Sequence, residues 1–263
     1  MARMTVPELT LIIPTYNERE SVQPLLEAID AALQGIVWEA VFVDDSRDGT
    51  DVLLAEIGLT DPRVRVLHRE VNRGGLAGAV VDGLQEARGT YLCVIDADLQ
   101  HPPERLPSLL AAARAESADV VVASRYIPGG STGGLDGPLR QFYSRGLKQL
   151  SQTVFPRRLS GITDPLGGYF LLHRNVVQGV MLRPIGYKIL LEILVRCSWK
   201  RSAEVPYAFQ PRQHGESKAD FRQGVRFLHH LARLAMDCSP AFAPLRLVGR
   251  FGVTQPVPAE SRS

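Results

Sequence analysis

Two pairs of acidic residues follow apolar runs of the chain, and both pairs stand where an α/β protein places its binding site. Asp96 and Asp98 come directly after residues 91–95, and Asp44 and Asp45 follow a second apolar run. Carboxylates at positions i and i+2 of an extended segment point to the same side, so Asp96 and Asp98 can converge on one cation. Such oxygen ligands suit Mg²⁺ or Mn²⁺ bridging a diphosphate. An Asp-x-Asp triplet also occurs in solvated turns, but its position after a buried strand favours a metal site.

Basic side chains form a second candidate group. Its members are Arg125 at the edge of a glycine-rich loop, Arg140 near Ser144, and Arg212 and Lys218 in a later polar loop. Arginine forks and lysine charges would balance phosphate oxygens that a metal does not reach. Each of these cations alone is equally typical of a solvated surface. Several such cations are what a transferase acting on two phosphorylated ligands would need.

Length, composition and charge restrict the class of protein to which the chain can belong. The chain has 263 residues, a formal net charge of +2 and 45% hydrophobic residues, which fits one α/β domain with a full core. The charge is too small to indicate a nucleic-acid partner, which requires a concentrated basic surface. Cys93, Cys197 and Cys238 are widely spaced, and we interpret them as reduced thiols of a cytosolic protein. We find no signal-peptide core and no run of 18 apolar residues, so we expect no membrane-spanning segment.

The elements that position these residues follow from alternating apolar runs and helical periodicity. This alternation predicts βαβ units and a mainly parallel central sheet flanked by helices. We predict strands at 9–13, 39–43, 64–68, 91–95, 119–123, 164–172 and 203–209, and helices at 20–33, 76–87, 139–155, 188–197 and 221–236. Further helices begin near Thr50 and Pro103. Ligands of such sheets bind beyond the carboxyl ends of the strands, where both acidic pairs stand.

The chain divides into one predicted domain and a tail. We assign residues 1–238 to the domain. Residues 239–263 contain four prolines, and we expect this tail to be poorly ordered.

Several segments resemble the family 2 inverting glycosyltransferases of GT-A fold, and within that family the dolichyl-phosphate mannose synthases. The matching stretches are IIPTYNERES from Ile12, VDDSRDGT from Val43, VIDADLQHPPE from Val94, SRY from Ser124, RQFYSRG from Arg140, DPLGGYF from Asp164, GYKILLEIL from Gly186 and VPYAFQPRQHGESK from Val205. The resemblance covers roughly residues 8 to 236. It departs from the family pattern in VDDSRDGT, which is one residue shorter and has Arg47 in place of proline.

The resemblance implies a role for each matching residue. The nucleotide sugar is held by Pro14, Tyr16, Glu18, Val43, Asp45, Asp96, Ala97, Asp98, Gln100, Arg125, Arg212 and Lys218. The metal, Mg²⁺ or Mn²⁺, is held by Asp96, Asp98 and Gln100. The phosphate of the acceptor is held by Arg140 and Ser144. The catalytic residues are Asp98, Arg125, Arg140, Arg212 and Lys218.

The implied reaction transfers mannose from GDP-mannose to dolichyl or another polyprenyl phosphate. A phosphate monoester is already an anion, so it can attack the anomeric carbon without a general base. In-line attack inverts that centre and gives a β-linked product. Two alternatives stay open, namely a transferase that uses a UDP-sugar carrying glucose or N-acetylhexosamine, and a non-catalytic module that binds a nucleotide sugar.

Two predicted helices are amphipathic and could meet a membrane surface. In residues 139–155 and 221–236 an apolar face lies beside cations, which suits an interfacial helix on anionic lipid. We expect the stripe of Arg222, Arg226 and Arg233 to face the headgroups. The protein would then be cytoplasmic and peripherally associated with the cytoplasmic face of a membrane. The alternative is that both apolar faces pack on the domain, and the patterns specify no oligomeric state.

Overall fold

A single seven-stranded sheet forms the centre of the protein. The computed structural model describes residues 6–134, 138–211 and 221–238, with the backbone alone for 138–142 and 221–222. The strands are β1 (Leu9–Thr15), β2 (Trp38–Asp44), β3 (Val64–His68), β4 (Tyr91–Val94), β5 (Val120–Ser124), β6 (Phe170–His173) and β7 (Ser202–Pro206). Their order in the sheet is β3-β2-β1-β4-β6-β5-β7. Strand β6 is antiparallel to β4 and β5, and the other pairs are parallel.

Helices cover both faces of this sheet. They are α1 (Arg19–Ala32), α2 (Thr50–Thr60), α3 (Gly75–Glu86), α4 (Leu106–Glu116), α5 (Pro138–Val154), α6 (Ile189–Arg196) and α7 (Phe221–Cys238). The predicted α/β fold with a mainly parallel sheet is therefore confirmed. The division into a domain and a tail stays a prediction, because residues 239–263 lie outside the described residues.

Two of the predicted strands are shorter than expected, because the chain forms a turn before β6 and leaves the regular ladder after Pro206. Residues 164–169 form a turn before β6, in which the amide of Gly167 donates to the carbonyl of Asp164 at 3.3 Å. Strand β7 ends at Pro206, and only Ala208 continues the pairing, as an isolated bridge to Ser131. Both departures bring loop residues to the edge of the sheet where the acidic pairs stand.

Alternate residues of each central strand pack into two separate layers of the core. Leu11 and Ile13 of β1 face the layer formed with α1, α2 and α4, while Ile12 faces the layer formed with α3, α6 and α7. This alternation is the period of two that a strand buried on both faces imposes. Helix α3 approaches the sheet closely, because a Cβ at Gly83 would lie 2.5 Å from Cγ2 of Ile12.

A buried ionic cluster joins α6 to α7. Glu192 and His230 are both fully buried, and Nε2 of His230 lies 2.8 Å from Oε2 of Glu192. The other carboxylate oxygen accepts from the amide of Arg183 and from Nε of Arg196, each at 2.8 Å. Burial alone raises the pKa of Glu192, but the hydrogen bond to His230, the Arg183 amide and the charge of Arg196 together lower it to about 2. The ionised carboxylate therefore fixes α7 against α6.

Glu192→Gln should destabilise the protein fully at neutral pH and clearly less at pH 3. Removing one partner of a buried ion pair costs about 3 kcal/mol in the free energy of unfolding. The folded-state pKa lies below the unfolded value of about 4.3, so this contribution is complete above pH 4.3 and is lost as the pH falls toward 2. Urea unfolding of parent and variant at pH 7, 5 and 3 measures the difference. Glu56→Gln, at an exposed position, is the matched control, and a gap that stays constant with pH would contradict the account.

Candidate active site

A cavity of about 820 Å³ lies at the carboxyl ends of β1, β2, β4 and β5. Most of the residues predicted to bind a nucleotide sugar line it, and they come from four separate loops. They are Pro14, Tyr16, Glu18, Asp45, Asp96, Ala97, Asp98, Gln100 and Arg125. The position agrees with the rule that open α/β sheets bind ligands at this edge.

The two members of the first acidic pair have different roles. Asp44 is fully buried, and its carboxylate accepts from Oγ of Ser46 at 2.5 Å and lies 2.8 Å from Nδ1 of His68. It therefore fixes the loop, whereas Asp45 lines the cavity. Val43, predicted to contact the nucleoside, has its side chain in the core.

Arg69, which the sequence patterns did not single out, holds Asp45 in place. Its Nε donates to Oδ1 of Asp45 at 2.7 Å, and its Nη2 donates to Oδ2. The same guanidinium contacts Asp82 at 3.0 Å and the carbonyls of Arg73 and Gly75. Burial opposes the charge, but the two carboxylates outweigh it and raise the pKa of Arg69. Arg69 thus ties Asp45 to the loop between β3 and α3.

The second acidic pair stands in a tight turn after β4. Oδ1 of Asp98 accepts from the amide of Gln100 at 3.1 Å, and Leu99 adopts a left-handed φ of 61°. Non-glycine residues in this conformation are concentrated at functional sites. Among the described residues no group of three or more His, Cys, Asp and Glu side chains could hold a metal ion. Two carboxylates are what a magnesium or manganese ion needs when a substrate diphosphate supplies further ligands.

The space beside Asp96 is kept open by a glycine. A Cβ at Gly168 would lie 3.4 Å from Oδ2 of Asp96 and 3.1 Å from Cε1 of His101. A side chain at this position would therefore crowd the carboxylate of Asp96 and the ring of His101. This geometry fits the prediction that Asp96 belongs to a metal site.

His101 packs against the turn that carries the acidic motif. Its ring is buried, stacks on Tyr169 with 5.1 Å between centroids, and lies with Nδ1 3.2 Å from the amide nitrogen of Asp96. Burial lowers the pKa of His101 to about 4, so the ring is neutral and Nδ1 can accept that N–H. His101 positions the backbone of the acidic motif.

Gln100 connects the acidic motif to the segment that follows β7. Its Nε2 donates to the carbonyl of Gln210 at 3.0 Å, and the amide of Gln210 donates to the carbonyl of Gln100 at 3.0 Å. The Oε1 of Gln100 keeps its capacity to accept or to bind a metal. The predicted site residues Arg212 and Lys218 lie outside the described residues, and of Arg140 only the backbone, in α5, is described.

Arg125 is held by a carboxylate that the sequence patterns left without a role. Nε and Nη2 of Arg125 donate to the two oxygens of Asp164 at 2.7 and 2.9 Å. The side chains are 7% and 1% exposed, so the pair is almost completely buried. Burial lowers the pKa of Arg125, but the contacts with Asp164 outweigh it and raise the pKa well above its ordinary value. The guanidinium is therefore a permanent positive charge at the cavity wall.

Helix α7 contributes to the cavity as well as to the surface. Arg226, predicted to face lipid headgroups, lines the cavity together with Gln223 and Lys188. Arg233 donates to the carbonyl of Arg183, and the side chain of Arg222 is outside the described residues. The arginines of the predicted stripe therefore do not share one surface, because Arg226 lines the cavity and Arg233 bonds to the backbone of Arg183.

Comparison with known proteins places the chain among glycosyltransferases. Residues 10–180 match the sequence model of Glycosyl transferase family 2. The dolichol-phosphate mannosyltransferase of Pyrococcus furiosus is 41% identical over 229 residues, and the match covers 86% of this chain and 63% of that protein. The dolichol-phosphate mannosyltransferase of Saccharomyces cerevisiae is 32% identical, with 86% of each chain covered. The undecaprenyl-phosphate mannosyltransferase of Micrococcus luteus is 36% identical, with 79% of this chain and 85% of that protein covered.

The fold has relatives among solved structures. Glucosyl-3-phosphoglycerate synthase from Mycobacterium tuberculosis, solved with Mn²⁺, uridine diphosphate and glucosyl-3-phosphoglycerate, superposes with a TM-score of 0.66 at 20% identity. The match covers 88% of this chain and 80% of that chain, and it shows a shared GT-A fold. Since the family model matches most of the chain and the Saccharomyces cerevisiae relative matches almost all of it, the chain belongs to glycosyl transferase family 2.

Proposed function

We propose that the protein transfers mannose from GDP-mannose to dolichyl or another polyprenyl phosphate, with inversion, giving a β-linked lipid phosphate sugar. Its relatives at 32–41% identity bear the names of mannosyltransferases for dolichol phosphate and undecaprenyl phosphate. The chain spans 63% of the length of the Pyrococcus furiosus relative. The observation that carries the proposal is the single cavity that joins the acidic motif to Arg125.

The side chains of the cavity suit the transfer of a sugar between two phosphates. We propose that Asp96, Asp98 and Gln100 hold Mg²⁺ or Mn²⁺, which when bound offsets the negative charge on the departing diphosphate. Arg125, fixed by Asp164, presents a preorganised positive charge at the same place. Pro14, Tyr16, Glu18 and Asp45 would hold the nucleoside, and Arg212 and Lys218 would add positive charge around the reacting groups.

The acceptor side requires alignment more than proton transfer. A phosphate monoester is an anion at neutral pH, so it attacks without losing a proton to the protein. His101 is neutral and accepts from the amide of Asp96, and in that arrangement it serves as a support. Arg140 and Ser144 would hold the acceptor phosphate in line with the anomeric carbon.

A transfer assay tests the proposed function. The protein is incubated with a short polyprenyl phosphate and, in separate reactions, radiolabelled GDP-mannose, UDP-glucose or UDP-N-acetylhexosamine. We expect the label from GDP-mannose to enter the organic phase. Label from a uridine nucleotide alone would favour the UDP-sugar transferase, and nucleotide-sugar binding without any transfer would favour the binding module.

Asp98→Ala should lower turnover by about a hundredfold or more, the scale expected when a main stabiliser of transition-state charge is lost. Steady-state rates with saturating Mg²⁺ or Mn²⁺ measure the effect. Asp51→Ala, an acidic residue in the first turn of α2, is the matched control and should behave as the parent. Full turnover in the presence of EDTA would show that the reaction does not depend on the proposed metal.

Arg140→Ala should weaken transfer to the lipid phosphate and leave donor binding nearly intact, because we place Arg140 on the acceptor. Transfer rates and calorimetric titration with the nucleotide sugar separate the two effects. Arg157→Ala, at an exposed position after α5, controls for the loss of one positive charge. A donor affinity that falls as much as the transfer rate would mean that Arg140 contacts the donor.

We also propose that α5 and α7 dock the protein peripherally on the cytoplasmic face of a membrane. The two helices touch, because a Cβ at Gly224 would lie 1.9 Å from the hydroxyl oxygen of Tyr143. Both carry exposed apolar side chains, namely Tyr143, Leu150 and Val154 on α5 and Val225, Leu228 and Met236 on α7. No helix in the described part of the chain has the length and hydropathy to cross a bilayer.

Replacing Leu150 and Leu228 together with serine should weaken binding to anionic vesicles by about tenfold or more, because each buried apolar side chain contributes about 1.5 kcal/mol or more. Sedimentation with vesicles measures the bound fraction. The control replaces Val52 and Leu59 of α2, which are also exposed, with serine. Equal sedimentation of the two double variants would place the membrane contact elsewhere.

A further inference from the structure

The aromatic ring of Tyr126 lies at the junction between the loop after β5 and helix α5. Oγ of Ser144 is 3.4 Å from the Tyr126 hydroxyl, and Nζ of Lys148 is 4.0 Å from the centre of the Tyr126 ring. Residues 144 and 148 are four positions apart and share one face of α5. Helical side chains lean toward the amino terminus of the helix, which brings the Lys148 ammonium back over the ring.

The charge of Lys148 is held in place without being neutralised. The electron-rich face of the ring attracts the ammonium and holds it at this position. Within the described ranges, neither a hydrogen bond nor an ion pair engages Nζ of Lys148. A carboxylate partner would have taken up one or more N–H donors of the ammonium, whereas an aromatic ring leaves all three able to donate to an anion.

Two hydroxyl groups and a second cation surround the same ring. The 3.4 Å between the oxygens of Tyr126 and Ser144 exceeds the usual O–H···O distance, so both hydroxyls retain a proton for a ligand. The guanidinium carbon of Arg125 lies 5.6 Å from the centre of the ring. Because Asp164 holds Nε and Nη2 of Arg125, Nη1 is the nitrogen left for a further acceptor.

This combination suits a tetrahedral oxyanion with two negative charges. Hydroxyl donors and a lysine point charge are typical ligands of a phosphate group. The group stands beside Arg125, which lines the cavity, and on the same helix as Arg140.

We propose that Tyr126, Ser144 and Lys148 form a subsite for the phosphate monoester of the acceptor, with Lys148 as a binding residue. The proposal rests on the proposed function, since it identifies the second substrate as a phosphate monoester. It adds Tyr126 and Lys148 to the residues that the sequence assigned to the acceptor. The ammonium contributes to acceptor affinity and leaves the donor site unchanged.

The test uses Lys148→Met, which removes the charge and keeps most of the side-chain volume. With farnesyl phosphate dissolved in the absence of membranes, we expect the KM for the acceptor to rise about tenfold, the effect of losing one hydrogen bond to a charged group. The kcat and the donor Kd should stay near the parent values. Lys148→Arg should recover most of the affinity, and Tyr126→Phe should raise the same KM by a smaller factor.

Lys200→Met is the matched control, because it makes the same substitution at an exposed lysine near the amino end of β7. It should behave as the parent in every assay. Thermal unfolding of Lys148→Met near the parent temperature excludes a folding defect as the cause.

Three results would overturn the subsite. An effect seen only with anionic vesicles, and absent with the dissolved acceptor, would mean that Lys148 contacts lipid headgroups. A donor Kd that rises with the acceptor KM would place the ammonium on the donor diphosphate. Unchanged kinetics would show that the residue makes no contact.

Calorimetric titration with farnesyl phosphate in the absence of donor separates this proposal from the proposed function. A parent that binds the phosphate more tightly than Lys148→Met, yet transfers no sugar, would support the subsite and refute the transfer reaction. A parent that binds it no more tightly than the variant would refute the subsite, whatever its transferase activity.

Discussion

Electrostatic repulsion is the constraint on which the site depends. The carboxyl edge of the sheet carries Asp45, Asp96 and Asp98, and the proposed reaction brings a diphosphate and a phosphate monoester to the same edge. Like charges in a partly desolvated cavity oppose both binding and reaction. A site of this kind works only if positive charges are fixed where the anions will lie, since mobile side chains would have to be ordered during the reaction.

Two buried arginines at this edge are fixed by carboxylates from other elements, and of the two only Arg125 lines the cavity. Arg69 is clamped between Asp45 and Asp82, and Arg125 is held by Asp164. Asp164 is itself positioned, because Oε1 of Glu204 accepts from the amides of residues 163 and 164 at 2.8 and 3.3 Å. Such bidentate pairs orient the guanidinium and keep it charged. Lys148 differs from these arginines, because an aromatic ring instead of a carboxylate holds its ammonium, and its N–H groups can all donate to a ligand.

The sequence predicted the parts of this arrangement that depend on local pattern. The strands before Asp45 and Asp98 were found because buried strands are continuous apolar runs, and the motifs after them stand at the carboxyl edge. The partners of Arg69 and Arg125 could not be found in this way. Asp164 lies 39 positions from Arg125, and their contact exists because β6 inserts antiparallel between β4 and β5. Local pattern does not specify such long-range pairing.

The direction of individual side chains was a second property that the sequence pattern could not predict, in both strands and helices. Adjacent residues after a strand point to opposite sides, so the pattern could not show that Asp44 is buried while Asp45 lines the cavity. The position of Arg226 depends on how α7 packs against α6. The buried contact between Glu192 and His230 holds these two helices together, and the sequence pattern did not reveal it.

Calorimetric titration with GDP, with and without a divalent cation, tests the central claim most directly. If carboxylates and diphosphate repel each other at this edge, GDP should bind with Mg²⁺ or Mn²⁺ present and bind far more weakly in EDTA. Asp98→Ala should lose most of this dependence on the cation, because the metal is then held poorly. An affinity for GDP that is the same in EDTA as in Mn²⁺ would contradict the account, because the site would then offset the charge of the diphosphate without a metal.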